Sequence, residues 1–406
     1  MHLKSLLKGT LAAAAGALVA LLAVATWVGA RGDKEKISAA MPNESIPTFS
    51  TEDLARTGFF YVGGHYAGDP GKEVMDGAEY VEVWVPKQVR HANPIVYFHG
   101  AGQTGTDWLQ TPDGRPGWAY YFAKQGYVQY MVDYPARGRS AYVPGVDGAQ
   151  TIRTAPQLEQ IWTSLNDMGN WPQAKKYTQW PSDAPNKGKM GDPIFDNFTR
   201  TQVEFLGGGP NNAGQLNLDA NVALLNKIGT PVILLAHSMG GGVAFQVADA
   251  VPSHVKAMIL AEPGGPQIRS VDTAKQEYID GPAAVWGLTD MPLHYDPPIK
   301  DPAELKTYLE PKSDGPALVP CYLQKDPVHK LASFQSFPIL DVSAEASYHR
   351  VFDSCLPKWI NQAGGKAEYV KLEDVGLPGN AHEMMLEKNS DAIARYFESW
   401  LEKNVH

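Results

Sequence analysis

Val232-Ile-Leu-Leu-Ala-His-Ser-Met-Gly-Gly-Gly242 passes within eleven residues from an unbroken apolar run to a cluster of small residues. A short continuous apolar run reads as a strand buried on both faces. The stretch that follows, Val243 to Val251, carries helical spacing instead. A strand that turns at once into a helix leaves the residue between them at a strained backbone position, and small neighbours are needed for the turn to close. Ser238 occupies that position, where its hydroxyl stands clear as a nucleophile. Ala236 stands two residues before it, where glycine is usual, while Gly240 and Gly241 supply the rest of the turn.

Similar apolar runs recur on both sides: Pro94 to Phe98, Val128 to Tyr134, Pro231 to Ala236, Val255 to Ala261, Pro338 to Val342 and Glu368 to Leu372. Runs of this length alternating with helical patterns predict a mostly parallel sheet flanked by helices, an α/β architecture. Tyr80-Val-Glu-Val-Trp-Val85 alternates, which predicts an early antiparallel strand with one more exposed face. Residues 141–214 and 264–335 break the rhythm with Pro, Gly, Trp and Asp. Structureless loops of that length are rare in a compact domain, so both are expected to be cap insertions in a body running over 45–406. Trp162, Trp171, Trp180 and Trp286 are candidate contact residues of an apolar pocket, against the plainer expectation that each packs cap onto body.

A serine hydroxyl needs a base, and His382 is in place for it: Gly376-Leu-Pro-Gly-Asn-Ala-His382 follows the last predicted strand and precedes the last helix, Ser390 to Leu401. His237 is expected to point into supporting structure and His99 to be a polar anchor. His254, His294, His329 and His349 are expected on the surface or in the caps. A carboxylate must orient the imidazole, in the chain order serine, acid, histidine. Glu262 at the end of one strand and Glu345, beyond Asp341 on the next, compete, and spacing does not separate them. Oxyanion donors are expected from the N–H of Met239 and of Ala101, with Gly102 as the neighbouring alternative. His382-Glu383 is followed by Leu386 four residues after the histidine, so no paired-histidine zinc motif is present, and neither metal nor cofactor is expected.

The 406 residues are 44% hydrophobic with a formal charge of −9 and no basic block, which argues against a nucleic-acid partner. Lys4 and Lys8 precede twenty uncharged residues, Leu11 to Ala30. That is the layout of a secretory signal over 1–30, with an uncleaved membrane anchor as the rival, and either places the body in a secreted or periplasmic setting. The two cysteines, Cys321 and Cys355, permit one disulfide or two buried thiols, and the bridge is preferred.

Several motifs together resemble secreted α/β-hydrolase-fold enzymes similar to bacterial esterases with a glutamate acid after the sixth strand. They are His99-Gly100, Thr111-Pro-Asp-Gly-Arg-Pro-Gly-Trp118, Asp133 with Arg137-Gly-Arg-Ser140, Ala236-His-Ser-Met-Gly240, Glu262-Pro-Gly264, and Gly379-Asn-Ala-His382 with Met384-Met385. The resemblance covers the body from about residue 50 onward and matches the insertions poorly. It implies Glu262 rather than Glu345 as the acid, and cofactor-free hydrolysis of a small-molecule carboxylic ester. Rival expectations are a lactone, amide or perhydrolysis reaction on the same fold, and a binding module without catalysis.

Overall fold

The computed structural model describes residues 45–206 and 213–406, so the leader read over 1–30 lies outside the described residues. Eight strands form the main sheet: β1 (Leu54–Ala67), β2 (Val74–Pro86), β3 (Ile95–Phe98), β4 (Gln129–Asp133), β5 (Val232–Ser238), β6 (Val255–Pro263), β7 (Ile339–Ser343) and β8 (Ala367–Lys371). Their spatial order is β1-β2-β4-β3-β5-β6-β7-β8. β2 is antiparallel to both β1 and β4, and every pairing from β4 onward is parallel. This is the mostly parallel sheet flanked by helices expected from the strand rhythm, in the α/β-hydrolase form that the resemblance implied, within a unit spanning Phe49–His406.

The apolar runs are continuous because both faces of the sheet are covered. Ile233, Leu235, Ile259 and Leu340 enter one core beneath helices α1 (Trp118–Gln125) and α5 (Ser390–Asn404). Their neighbours Val232, Leu234, Leu260 and Ile339 enter another, beneath α2 (Gln215–Ile228), α3 (Met239–Ala250) and α4 (Cys355–Gln362). Successive side chains of a strand point to opposite faces, so each residue of β5 finds a core and all seven are buried.

Two readings need correction. The sequence signalled no strand over Leu54–Ala67, yet β1 is the longest in the sheet. It lies at the edge with most residues exposed and interrupts its own alternation at Gly58, Gly63 and Gly64, so it carries no burial period to read. β2 pairs antiparallel as expected, but over Glu79–Val81 and at Trp84 it is buried rather than half open.

Residues 141–206 of the first insertion hold short helical turns, the helix Pro193–Thr201, and a two-stranded ribbon of Gln150–Thr151 against Phe205–Leu206. The second holds two small antiparallel ribbons and no α-helix. Cys321 and Cys355 are joined in a disulfide, tying this insertion to α4.

Candidate active site

Ser238 ends β5 and caps α3 at φ 53° and ψ −126°, the strained position expected of a serine between strand and helix. Two glycines allow the rest of the site to close around it. A Cβ on Gly240 would lie 2.5 Å from the Phe98 carbonyl oxygen, and one on Gly241 would lie 2.2 Å from Pro263 Cβ. Gly240 therefore admits the loop after β3, and Gly241 admits the turn that carries Glu262. The Gly264 N–H donates to the Ser238 carbonyl at 2.7 Å, locking that turn to the serine.

Glu262 lies beneath this turn at φ 48° and is wholly buried. Its Oε1 accepts the Ala344 N–H at 2.7 Å, and its Oε2 accepts the Ser347 hydroxyl at 2.6 Å. The same Oε2 lies 2.7 Å from His382 Nδ1. Burial raises the Glu262 pKa, opposed by the charge of His349 nearby and by the Ser347 and Ala344 donors. Asp341 is buried without a partner for either carboxyl oxygen, and burial raises its pKa well above the ordinary value. Glu345 accepts from Lys176 Nζ at 2.9 Å and from the Gly379 N–H at 2.9 Å. Partial burial works against its ionisation, but these donors hold its carboxyl below the usual range. Glu262 thus meets the imidazole, while Glu345 braces the loop that carries it.

His382 is enclosed by rings. Its imidazole stacks on His349 at 4.7 Å and 15°, lies 5.9 Å from Trp162, and has Tyr348 and His237 at 5.1 and 4.5 Å. Burial first, then the charges of His349 and Arg153, hold its pKa well below the ordinary value. Nε2 is buried and has no hydrogen-bond partner among the described residues. The loop is held from several sides. His237 Nε2 donates to the His382 carbonyl at 2.9 Å, and Glu387 accepts the Ala381 N–H at 2.9 Å and the Asn380 amide at 2.6 Å. Gln103 spans from the Glu383 carboxylate at 2.6 Å to the Gly100 N–H at 3.2 Å, joining this loop to the one after β3.

Ser238, Ala101 and Met239 line one cavity of about 650 Å³, to which both insertions contribute. The Ala101 N–H bonds to no described residue, and Met239 opens α3, where an N–H lacks an intrahelical partner. Gly102, the alternative, accepts the Val203 N–H on its carbonyl at 2.8 Å, and its own N–H likewise bonds to no described residue. Arg137 is buried behind this loop and donates to the Gly100 carbonyl at 3.0 Å. A neighbouring depression of about 740 Å³, lined by Tyr61, Arg137 and Tyr142 among others, contains neither the serine nor the histidine.

Other expectations meet mixed outcomes. His237 does support the loop, and His99 is a buried anchor whose pKa burial lowers to about 3. His349 is no surface residue: it is buried, bonded through Nδ1 to Asp353 at 2.8 Å, and lines the cavity. None of the four tryptophans lines that cavity, whose aromatic wall is Phe205, Tyr348 and Phe352. Trp171 and Trp180 spend their N–H groups on Ala346 and Asp192, as packing residues do. Trp162 lies against His382, and the Trp171 ring meets Tyr348 of the cavity wall at 5.9 Å. The Asp133 and Arg115 motifs also prove to be braces. Asp133 binds Arg139 and the Gly105 N–H, and Arg115 reaches the Glu387 carbonyl at 3.0 Å.

His237, His382 and Glu383 offer ligand atoms within 4.8 Å of one another. Glu383 gives one oxygen to Gln103 and His237 gives Nε2 to a carbonyl, while His237 Nδ1, His382 Nε2 and Glu383 Oε1 are buried without a partner among the described residues.

Residues 95–396 match the family model described as the Alpha/beta hydrolase family. "Probable secreted lipase phiG" of Fungal sp. (strain ATCC 74256) is 38% identical over 349 residues, covering 86% of this chain and 90% of that protein. Lipase LipV of Mycobacterium tuberculosis (strain ATCC 25618 / H37Rv) is 35% identical over 131 residues, 27% of this chain and 49% of that one. Among solved structures, one described as that of a novel bacterial esterase aligns with a TM-score of 0.57 at 20% identity, over 90% of this chain and 100% of its own, a likeness of fold.

Proposed function

This chain belongs to the alpha/beta hydrolase family, and from that premise we propose that it is a carboxylic ester hydrolase working through Ser238, His382 and Glu262 and an acyl-enzyme intermediate. The observation that carries the reading is the 2.7 Å contact of His382 Nδ1 with Glu262, which leaves Nε2 the free nitrogen of a neutral imidazole. Ser238 Oγ attacks the ester carbonyl as Nε2 takes its proton, and Glu262 holds the imidazolium in place. The N–H groups of Ala101 and Met239 receive the oxyanion. The proton passes to the leaving alcohol, and water, activated by the same nitrogen, releases the acid from Ser238. An ester is favoured over a lactone or amide because the relative spanning most of the chain is named a lipase.

That relative is also named as secreted, which supports reading residues 1–30 as an export signal. Among the described residues no helix is long and apolar enough to cross a membrane.

The test is labelling of the folded protein with a fluorophosphonate, followed by peptide mapping. The label is expected on Ser238 and absent from Ser238→Ala, whose kcat/KM on a simple ester falls by at least about 10⁴-fold. A folded wild-type protein that takes no label would overturn the reading in favour of a binding module.

A further inference from the structure

Arg153 stands at the wall of the cavity that holds Ser238, just after the ribbon strand Gln150–Thr151 and just before the helical turn Ala155–Leu158. Its guanidinium carbon lies 5.0 Å from the Trp162 ring centroid and 5.9 Å from that of Phe205, so aromatic rings take up its π-surface. The hydrogen-bonding edge is treated quite differently. Arg153 makes no hydrogen bond and no ion pair with any described residue, and its Nε is buried without a partner.

Other arginines near the sheet edge are partnered. Arg139 binds Asp133 and Glu82, Arg350 binds Glu373, and the buried Arg137 donates to a carbonyl. Among the described residues lining the cavity, Arg153 is the lone arginine or lysine, and the lone carboxylate, Asp290, is exposed and pairs with no described residue. The charge of Arg153 also reaches the reacting groups, since it is among the causes that depress the His382 pKa. A guanidinium placed near two aromatic rings, with its donors unspent, can present the fork with which arginine binds a carboxylate through two parallel hydrogen bonds.

We propose that Arg153 recognises a carboxylate carried by the substrate, so that the preferred esters are those of dicarboxylic or hydroxycarboxylic acids with one free acid group. The proposal rests on the esterase reading and names the substrate class for that same site. A charge-assisted contact of this kind is expected to favour the anionic ester by about 10- to 100-fold in kcat/KM, mainly through KM.

The experiment compares matched pairs on the full-length protein. One series sets monomethyl esters of dicarboxylic acids, succinate to suberate, against the dimethyl esters. The other sets acetate esters of ω-hydroxy acids against the methyl esters of those acids. Wild type is expected to prefer the anionic member in at least one series. Arg153→Gln should bring the ratio near one, whatever its absolute rate, and Arg153→Lys should restore part of it. Wild-type indifference to the charge, or a preference that survives in Arg153→Gln, would overturn the carboxylate proposal and leave the esterase reading standing. Hydrolysis of the neutral esters that survives in Ser238→Ala would instead overturn Ser238 as the nucleophile of the esterase reading. Independently of turnover, glutarate but not glutaramide should raise the melting temperature of wild type and have no such effect on Arg153→Gln; equal shifts in both proteins would overturn the proposal.

Discussion

The carboxyl edge of the sheet and the two insertions that complete the cavity meet at Ser238 but are built on different terms. At the edge each functional group is held redundantly. Glu262 has three hydrogen-bond partners, and the His382 loop is tied through His237, Glu387, Glu345 and Gln103. In the insertions the elements are short, and Arg153 is positioned by ring contacts with its donors left free. The difference follows from the two tasks. Under the proposed roles, groups that stabilise a transition state must be placed before substrate arrives, whereas a group that selects substrate must keep its polar atoms available.

The sharpest break of this contrast is a pair of carboxylate variants. Glu262→Gln is expected to lower kcat by about 10³- to 10⁴-fold, because the amide no longer holds the imidazole in its working tautomer. Glu345→Gln should cost less than about tenfold, since it only loosens the Gly379 turn. Steady-state kinetics on one neutral ester decides, and comparable losses would erase the distinction between acid and brace.

Glu387 tests whether the histidine loop is held by a buried acid. Burial raises its pKa to about 8 against the donors Asn380 and Ala381. Its folded pKa exceeds the ordinary value of 4.5, so its contribution is fully present below that pH and is lost as pH rises toward about 8. The loss over that interval is on the order of 4 kcal/mol. Urea unfolding at several pH values should show this decline in wild type and a flatter profile in Glu387→Gln. Equal slopes would place the proton elsewhere.

The smallest effect on chemistry is expected in the second insertion. Replacing Cys321 and Cys355 by serine frees a closed loop with a sequence separation of 34. It should cost about 3–4 kcal/mol of stability. The kcat of the folded protein should change less than about tenfold, because none of Ser238, Glu262 and His382 hangs on the bridge. A collapse of kcat at temperatures where the variant remains folded would show that the insertion holds the catalytic edge as well as the cavity wall.

What could be read in advance tracks how local each cause is. Seven of the eight strands were legible, β2 by its alternation and the others by short apolar runs, most clearly where both faces are buried as in β5, whereas exposed, glycine-broken β1 left no such trace. Trp162 was among the candidates singled out, but nothing in its surroundings in sequence distinguished it from Trp171 or Trp180. His349 offered only a spacing of four from Asp353, a pattern common on any helix surface. Arg153 offered no signal at all.

The sequence by itself determined the strand–turn–helix around Ser238, the loop position of His382 and the parallel sheet. These depend on backbone sterics and burial periodicity, which neighbouring residues impose on one another. Spacing left Glu262 and Glu345 open until a resemblance favoured Glu262, and only the tertiary structure decided that this carboxylate meets His382, which rings enclose the histidine, and which arginine faces the cavity unpaired. Glu262 and His382 stand 120 residues apart. Whether such groups touch depends on how strands and loops pack, and a carboxylate with suitable spacing becomes a partner or a brace through a shift of a few ångströms that composition and order do not encode.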